Sequence, residues 1–227
     1  MGNKRVLVWG AGGHGKVIVD ALMAGGEWEV AGILDEDEKK CGAEVLGVKV
    51  FSLEGGVAAA AKHLDCGRVA IAIGDNYMRF KKFQQVRSAE LIAVNVVHPS
   101  AHISRFVKLG EGVTILAGAT INPGTTIEDN VCVNTSASVD HDNRLERSCH
   151  IFPNATLTGG VRIREFAYVG SGAVIAPNLT LHDDAKINRR TPHSRATFAS
   201  MRVAARFTST ANSLFSSQAG SPTIPAR

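Results

Sequence analysis

From Val97 onward the chain repeats every six residues. Stepping by six gives Ile103, Leu109, Ile115, Ile121, Ile127, Val133, Val139, Leu145, Ile151, Leu157, Ile163, Val169, Ile175, Leu181 and Ile187, sixteen consecutive positions that are all Ile, Leu or Val. A period of six matches neither the 3.6-residue turn of an α-helix nor the two-residue alternation of a strand. It matches a β-helix in which each hexad forms one flat side and three hexads close a triangular coil, so sixteen hexads make about five coils. Each coil stacks its inward aliphatic residues on the previous one and builds a continuous apolar column. A second, mostly small series falls four residues after each head: Ala101, Val107, Val113, Ala119, Thr125, Val131, Ala137, Asn143 and Cys149 begin it. These residues are expected to pack at the bends. Gly112, Gly118, Asn122 and Asn130 suit corners that need unusual φ. The register ends at Ile187, since the next position in step is His193.

The net charge of +4 is unevenly spread. Seven basic residues and no acidic one lie between Ala185 and Arg227, which leaves about −3 for residues 1 to 184. A fold that bound nucleic acid would carry the positive charge itself; here it sits in a Ser/Thr-rich tail, so no nucleic-acid partner is expected. No run approaches the roughly 18 apolar residues of a membrane span and no signal peptide precedes the first strand, so neither membrane nor export is expected. Cys41, Cys66, Cys132 and Cys149 lack CxxC spacing, which points to a reduced, cytoplasmic chain with buried thiols. The histidines show no HExxH or paired spacing suited to zinc, and there is neither a GxSxG elbow nor a P-loop lysine. No metal site and no acyl-enzyme are expected.

Residues 1–96 read as a small α/β unit. Strands are expected at Arg5–Trp9, Glu29–Leu34, Arg68–Ile73 and Leu91–Val96, with helices at Lys16–Met23, Leu53–Leu64 and Asn76–Val86. Such order implies a parallel sheet with helices on its faces. The loop Gly10-Ala11-Gly12-Gly13-His14-Gly15 opens a helix whose free N–H groups suit a phosphate, and Asp35 lies about 20 residues beyond Gly15. Fewer than 100 residues make only half a dinucleotide domain, so a mononucleotide or nucleotide-sugar is the better fit. Three segments follow: 1–96 for the nucleotide-sugar, 97–190 for the β-helix, and 191–227 as a basic tail.

The glycine loop, Leu34-Asp35-Glu36, Ala72-Ile73-Gly74-Asp75-Asn76, His98-Pro99-Ser100-Ala101 and the run Asn134 to Asp142 stand in one order along the chain. Over residues 4 to about 187 this set resembles the NeuD/PglD-type sugar acyltransferases, which include sialic acid O-acetyltransferases and N-acetyltransferases of nucleotide-linked 4-amino sugars. The GDP-perosamine branch looks nearest. The resemblance implies that the β-helix is left-handed, that three copies form a homotrimer, and that acetyl-CoA is the co-substrate, lying in a groove between neighbouring prisms.

Acyl transfer to an amine needs a base, oxyanion donors and substrates held in line. His141 is the expected base: it takes the third position of the hexad headed by Val139 and should project outward, with Asp142 next to it to stabilise the imidazolium. The resemblance implies that His150 and Ser171 contact acetyl-CoA and that Gly159 donates a backbone N–H to the oxyanion, with Gly160 second. It also implies that Gly12, Gly13, His14, Asp35, Glu36, Gly74 and Tyr77 meet the nucleotide-sugar. The expected function is N-acetylation of the 4-amino group of a nucleotide-linked deoxysugar. The alternatives are a sialic acid or sugar O-acetyltransferase and a catalytically impaired nucleotide-sugar-binding trimer. The latter is motivated by the break after Ile187, where Arg189 stands at a place usually glycine; a weak helical pattern from Ala196 to Phe207 is expected to cap the last coil.

Overall fold

The computed structural model describes residues 4–188. The first half is β1 (Lys4–Trp9), α1 (Gly13–Gly25), β2 (Trp28–Asp35), β3 (Glu44–Val45), β4 (Val48–Ser52), α2 (Gly56–His63), β5 (Arg68–Ile71), α3 (Asn76–Ser88) and β6 (Ile92–Ala93). The sheet runs β3-β4-β2-β1-β5-β6. Its central strand β1 buries Val6, Leu7 and Val8 completely, as a parallel strand covered on both faces must. Ile18, Val19 and Leu22 of α1 pack on one face; Val57 and Ala60 of α2, with Phe83 and Val86 of α3, pack on the other. The expected parallel order fails only at one edge, where β3 pairs antiparallel with β4. Leu46 and Gly47 join them, both at positive φ (51° and 78°), which makes a tight hairpin turn that matches strand twist.

The β-helix appears as the six-residue period requires. Sixteen two-residue strands run from Val96–Val97 to Lys186–Ile187. They stack 18 residues apart into three parallel sheets: sheet I begins at Val96–Val97, sheet II at His102–Ile103 and sheet III at Lys108–Leu109. This is a left-handed parallel β-helix. Ile115, Ile121, Val133, Val139, Leu145, Ile151, Leu157, Ile163 and Val169 are all sealed inside, each contributing about 1.5–3 kcal/mol by burial.

One corner position per hexad is left-handed. Every sixth residue from Gly112 to Asp184 has φ between 54° and 78°. Asn, Asp and Ser fill many of these places because their short polar side chains tolerate that region. Gly112, Gly118 and Asn130 conform to expectation. Asn122 does not: it sits outside the left-handed step and donates its amide to Asp140 Oδ1 at 2.9 Å. Phe166 is the bulky exception, at φ 59°. Its backbone strain, about 1–2 kcal/mol, is offset by stacking of its ring on Tyr77, with centroids 4.4 Å apart and planes 7° from parallel.

The α/β half sits on sheet I. The outward residues Val96, Thr114, Cys132 and His150 of that sheet are buried, and Val96 and Leu116 join the apolar cluster of α1. Arg189 and the segment Ala196 to Phe207 lie outside the described residues. Among the described residues no helix is long and apolar enough to cross a membrane.

Candidate active site

The corner between sheets II and III carries His141. The imidazole is 61% exposed, so it projects outward as its hexad position requires. Its Nδ1 lies 2.8 Å from Asp142 Oδ2, and its backbone N–H donates to Asp140 Oδ1 at 2.8 Å. The hydrogen bond with Asp142, helped by the negative charge of Asp140, raises the imidazole pKa above its ordinary value. Asp140 itself is held below the usual carboxylate range by the amide of Asn122 and the N–H of His141. With Nδ1 occupied by Asp142, Nε2 is the free nitrogen. It lies over Gly159: a methyl group added there would stand 2.6 Å from Nε2. Only glycine leaves that space. Gly160 N–H is already given to the His141 carbonyl at 3.0 Å, whereas no backbone carbonyl among the described residues accepts from Gly159 N–H. Of the two glycines, Gly159 is the one with a donor to offer.

A second constellation is buried where the α/β half meets sheet I. His150 is only 2% exposed and stacks on Phe152 at 4.0 Å; its ring centroid is 6.2 Å from that of His14. Thr135 N–H donates to Asn134 Oδ1 at 2.8 Å, which turns the Asn134 amide nitrogen toward His150 Nε2, 3.2 Å away. The ring proton of neutral His150 then sits on Nδ1, which faces the Gly74 backbone without completing a well-formed hydrogen bond; His14 Nε2 has no partner. Burial, and next the Arg79 charge, lower the His14 pKa to about 4. The same two causes, with His14 third, hold His150 well below its ordinary value. Two neutral rings thus hold polar nitrogens enclosed at the seam.

Arg79 was not visible as a site residue in the sequence, yet it organises this seam. It lies on α3 with 1% exposure and no carboxylate partner. Its Nε donates to the Asn130 carbonyl at 3.1 Å and its Nη2 to the Ser148 carbonyl at 2.9 Å. One helical turn earlier, Asn76 Nδ2 donates to the Phe166 carbonyl at 2.7 Å. Asn130, Ser148 and Phe166 are left-handed corner residues of three successive coils. Each would otherwise bury a carbonyl without a donor, and α3 caps them in a row. Asn76 and Arg79 are three residues apart in a helix, the spacing that puts two side chains on one face; that was the only hint the sequence held.

The other expected residues find these places. Gly12 and Gly13 have open space where a side chain would be, lead into α1 with no side-chain cap, and among the described residues give their N–H groups to no carbonyl outside the helix. Gly15 is packing-bound, because an added methyl would stand 1.9 Å from the Gly10 carbonyl oxygen. Asp35 is occupied by its own chain: it accepts from Ala11 N–H at 2.7 Å and pairs with Lys40 at 3.1 Å. Burial pushes its pKa up, but hydrogen bonds from Asp37, Ala11 and Lys40 outweigh that and leave it lowered. Glu36 pairs with Lys82, whose ammonium lies 4.8 Å from the centre of the Trp9 ring. Gly74 gives its carbonyl to Arg79 at 3.3 Å. Tyr77 stacks on Phe166 and donates its hydroxyl to Asp184. Ser171 is exposed on the corner after sheet I. His141 and Gly159 come together; His141 and His150 do not, for one lies on the corner between sheets II and III and the other on the opposite face. His150 lies in a strand of sheet I.

Residues 5–86 match the family described as PglD N-terminal domain. PerB from Caulobacter crescentus, crystallised with CoA and GDP-perosamine, is 40% identical and superimposes with a TM-score of 0.75, over 83% of this chain and 86% of that one. The chain belongs to the NeuD/PglD-type sugar acyltransferase family. A histidine-to-asparagine variant of the Caulobacter perosamine N-acetyltransferase, also with CoA and GDP-perosamine, matches this family member with a TM-score of 0.76 at 39% identity and the same coverage. The acetyltransferase domain of PglB from Neisseria gonorrhoeae, in complex with acetyl coenzyme A, is 29% identical with a TM-score of 0.72 over 82% of this chain and 94% of that one. UDP-N-acetylbacillosamine N-acetyltransferase of Bacillus subtilis is 31% identical over 50% of this chain, and the match spans about half of that relative's length (52%).

Proposed function

We propose that this chain is an acetyl-CoA-dependent N-acetyltransferase acting on the 4-amino group of a nucleotide-linked deoxysugar of the GDP-perosamine or UDP-4-amino-sugar type. The observation that carries the reading is His141: an exposed imidazole, oriented by Asp142 through Nδ1, with its free Nε2 over a glycine that leaves room for nothing larger than hydrogen. The GDP-perosamine and CoA complexes of the Caulobacter relative support the substrate class.

In this reading His141 Nε2 takes the proton that the sugar amine sheds as its nitrogen bonds to the thioester carbon. Gly159 N–H steadies the resulting oxyanion. When the carbon–sulfur bond breaks, the imidazolium returns the proton to the leaving sulfur, and free CoA thiol and an amide result. Asp142 stabilises the imidazolium in between. The Nδ1–H of His150 and the exposed Ser171 are offered to acetyl-CoA. His14 Nε2 and the open N–H groups of Gly12 and Gly13 are offered to the nucleotide-sugar, with Gly74 beside them. Asp35 and Tyr77 serve chiefly by shaping that site, since their polar atoms are already engaged, while Glu36 pairs with Lys82 through Oε1 and keeps Oε2 to offer. His141 and His150 face opposite ways on one prism, so a site that uses both takes one from each of two neighbouring copies, which a homotrimer supplies. Cytoplasmic placement and the division at residues 96 and 190 belong to the same proposal.

The test mixes the purified chain with acetyl-CoA and, in turn, GDP-perosamine, a UDP-linked 4-amino-deoxysugar and free sialic acid, and follows release of free thiol. Thiol release with an amino-sugar nucleotide supports the proposal. Release with sialic acid alone decides for O-transfer. Calorimetric binding of a nucleotide-sugar without any CoA binding decides for a silent binding protein.

A further inference from the structure

The small residues lining the corner between sheets II and III are, coil by coil, Val107, Thr125, Asn143, Val161 and Leu179. Aliphatic side chains stand at the first place and at the last two. A polar pair interrupts them at the coil that carries His141 and at the coil before it. Thr125 is 0% exposed and Asn143 2%. Placing a hydroxyl and an amide inside an apolar column costs free energy unless each is fully hydrogen-bonded, and the prism itself has no need of them, as Val107 and Val161 demonstrate at equivalent places.

The pair is fully hydrogen-bonded, and its bonds converge on one atom. Asn143 Nδ2 donates to the Asp140 carbonyl at 2.6 Å, and Thr125 Oγ1 donates to the same carbonyl at 3.0 Å. Asn143 Oδ1 accepts from Val161 N–H at 2.7 Å, which locks the amide in that orientation. From the outside, Asn122 holds the Asp140 carboxylate at 2.9 Å. The residue preceding His141 is thus gripped at its carbonyl from within the prism and at its side chain from without. Asp142, following it, is held in the left-handed region at φ 58°, with its N–H on the Pro123 carbonyl at 3.0 Å.

We infer that Asn143 and Thr125 are positioning residues for His141: they clamp the Asp140 carbonyl from inside the β-helix and so aim the imidazole across Gly159. This rests on the reading of His141 as the base. The ring touches little besides Asp142 and Gly159, so much of its aim comes through the backbone that carries it. Displacement of a catalytic group by about 1 Å can cost on the order of 100-fold in rate.

The experiment measures kcat and KM for acetyl-CoA and GDP-perosamine in Thr125→Val, Asn143→Val and His141→Asn, alone and combined, with thermal melts and calorimetric CoA binding on each. Thr125→Val is nearly isosteric, and Asn143→Val installs the residue found one coil later. The expected result is a fall in kcat of about tenfold to 100-fold for Asn143→Val, a smaller fall for Thr125→Val, KM and CoA affinity unchanged, and no further loss when either is added to His141→Asn. Wild-type kcat in both valine variants overturns the inference while leaving the base assignment standing. So does an equal loss in KM or CoA binding, or a loss that persists in the His141→Asn background, since both mark a general structural role. A wild-type rate for His141→Asn instead overturns the base assignment, and this inference with it. If Asn143→Val does not fold, Thr125→Val decides alone.

Discussion

Two of the regions that carry histidines, the corner at His141 and the seam at His14 and His150, treat the same side chain in opposite ways. On the corner between sheets II and III, His141 stands in solvent with carboxylates beside it, and its pKa is raised. At the seam under α3, His150 is buried and His14 half-buried near the charge of Arg79, and their pKa values are lowered. Under the proposed mechanism one ring takes a proton and holds it through a reaction step; the other two are kept neutral, with polar nitrogens enclosed at the seam. The difference teaches that burial, with the Arg79 charge second, is what separates the two environments; in the proposed function the exposed corner transfers the proton and the seam recognises the substrates.

The sharpest way to break that contrast is to remove the exposed ring. His141→Asn is expected to lower kcat by a factor on the order of 10²–10⁴ and to leave the urea midpoint nearly unchanged, because the imidazole is mostly exposed; a stability loss comparable to a core substitution would contradict the division of roles. Next in size, Arg79→Met strips donors from the Asn130 and Ser148 carbonyls and from loop carbonyls before α3. A loss of about 3 kcal/mol or more in urea denaturation is expected, since each buried carbonyl left without a donor costs about 1–3 kcal/mol.

Acid denaturation sharpens the comparison further. The unfolded His14 takes a proton near its ordinary value of 6.5, whereas the folded ring refuses it until about pH 4. The unfolded state therefore binds more protons in that window, and stability falls as pH drops from 6.5 to 4. The effect for His14 is on the order of 3 kcal/mol, with His150 acting in the same direction. A His14→Gln variant is expected to flatten the slope between those pH values, and an unchanged slope would place the acid sensitivity elsewhere. His141 has the opposite sign: its raised pKa favours the folded state below the ordinary histidine value and ceases to do so as pH rises past the folded value. The proposed mechanism needs the neutral ring, so kcat is expected to rise with pH through that value. Asp142→Asn is expected to move this limb to lower pH and to slow the reaction roughly two- to fivefold, the smallest of the four effects; a limb that stays in place would separate Asp142 from the imidazole.

Much of this was legible without coordinates, and the reason lies in how each feature is encoded. The aliphatic heads from Val97 to Ile187 repeat a nearest-neighbour contact, so every coil states the same rule and the rule can be read locally. His141 was legible because its place in the hexad fixes which way it points. The hairpin Glu44 to Ser52 was not anticipated, though Leu46-Gly47 was there to be read as its turn. Asn122 was assigned to a corner on composition alone, but the left-handed step falls at one place in the hexad and Asn122 is not at it.

The sequence by itself determined the prism, its period, the strand-and-helix order before it and the outward direction of the imidazole at 141, because these follow from spacing along the chain. Only the tertiary structure decided that Arg79 and Asn76 cap three stacked corner carbonyls, that Asp35 and Glu36 are occupied by their own chain, that His14 and His150 are neutral, and that Asn143 and Thr125 meet at one oxygen. Those outcomes depend on desolvation and on partners far apart in sequence, such as residues 79 and 148, and the spacing of neighbouring residues carries no record of either.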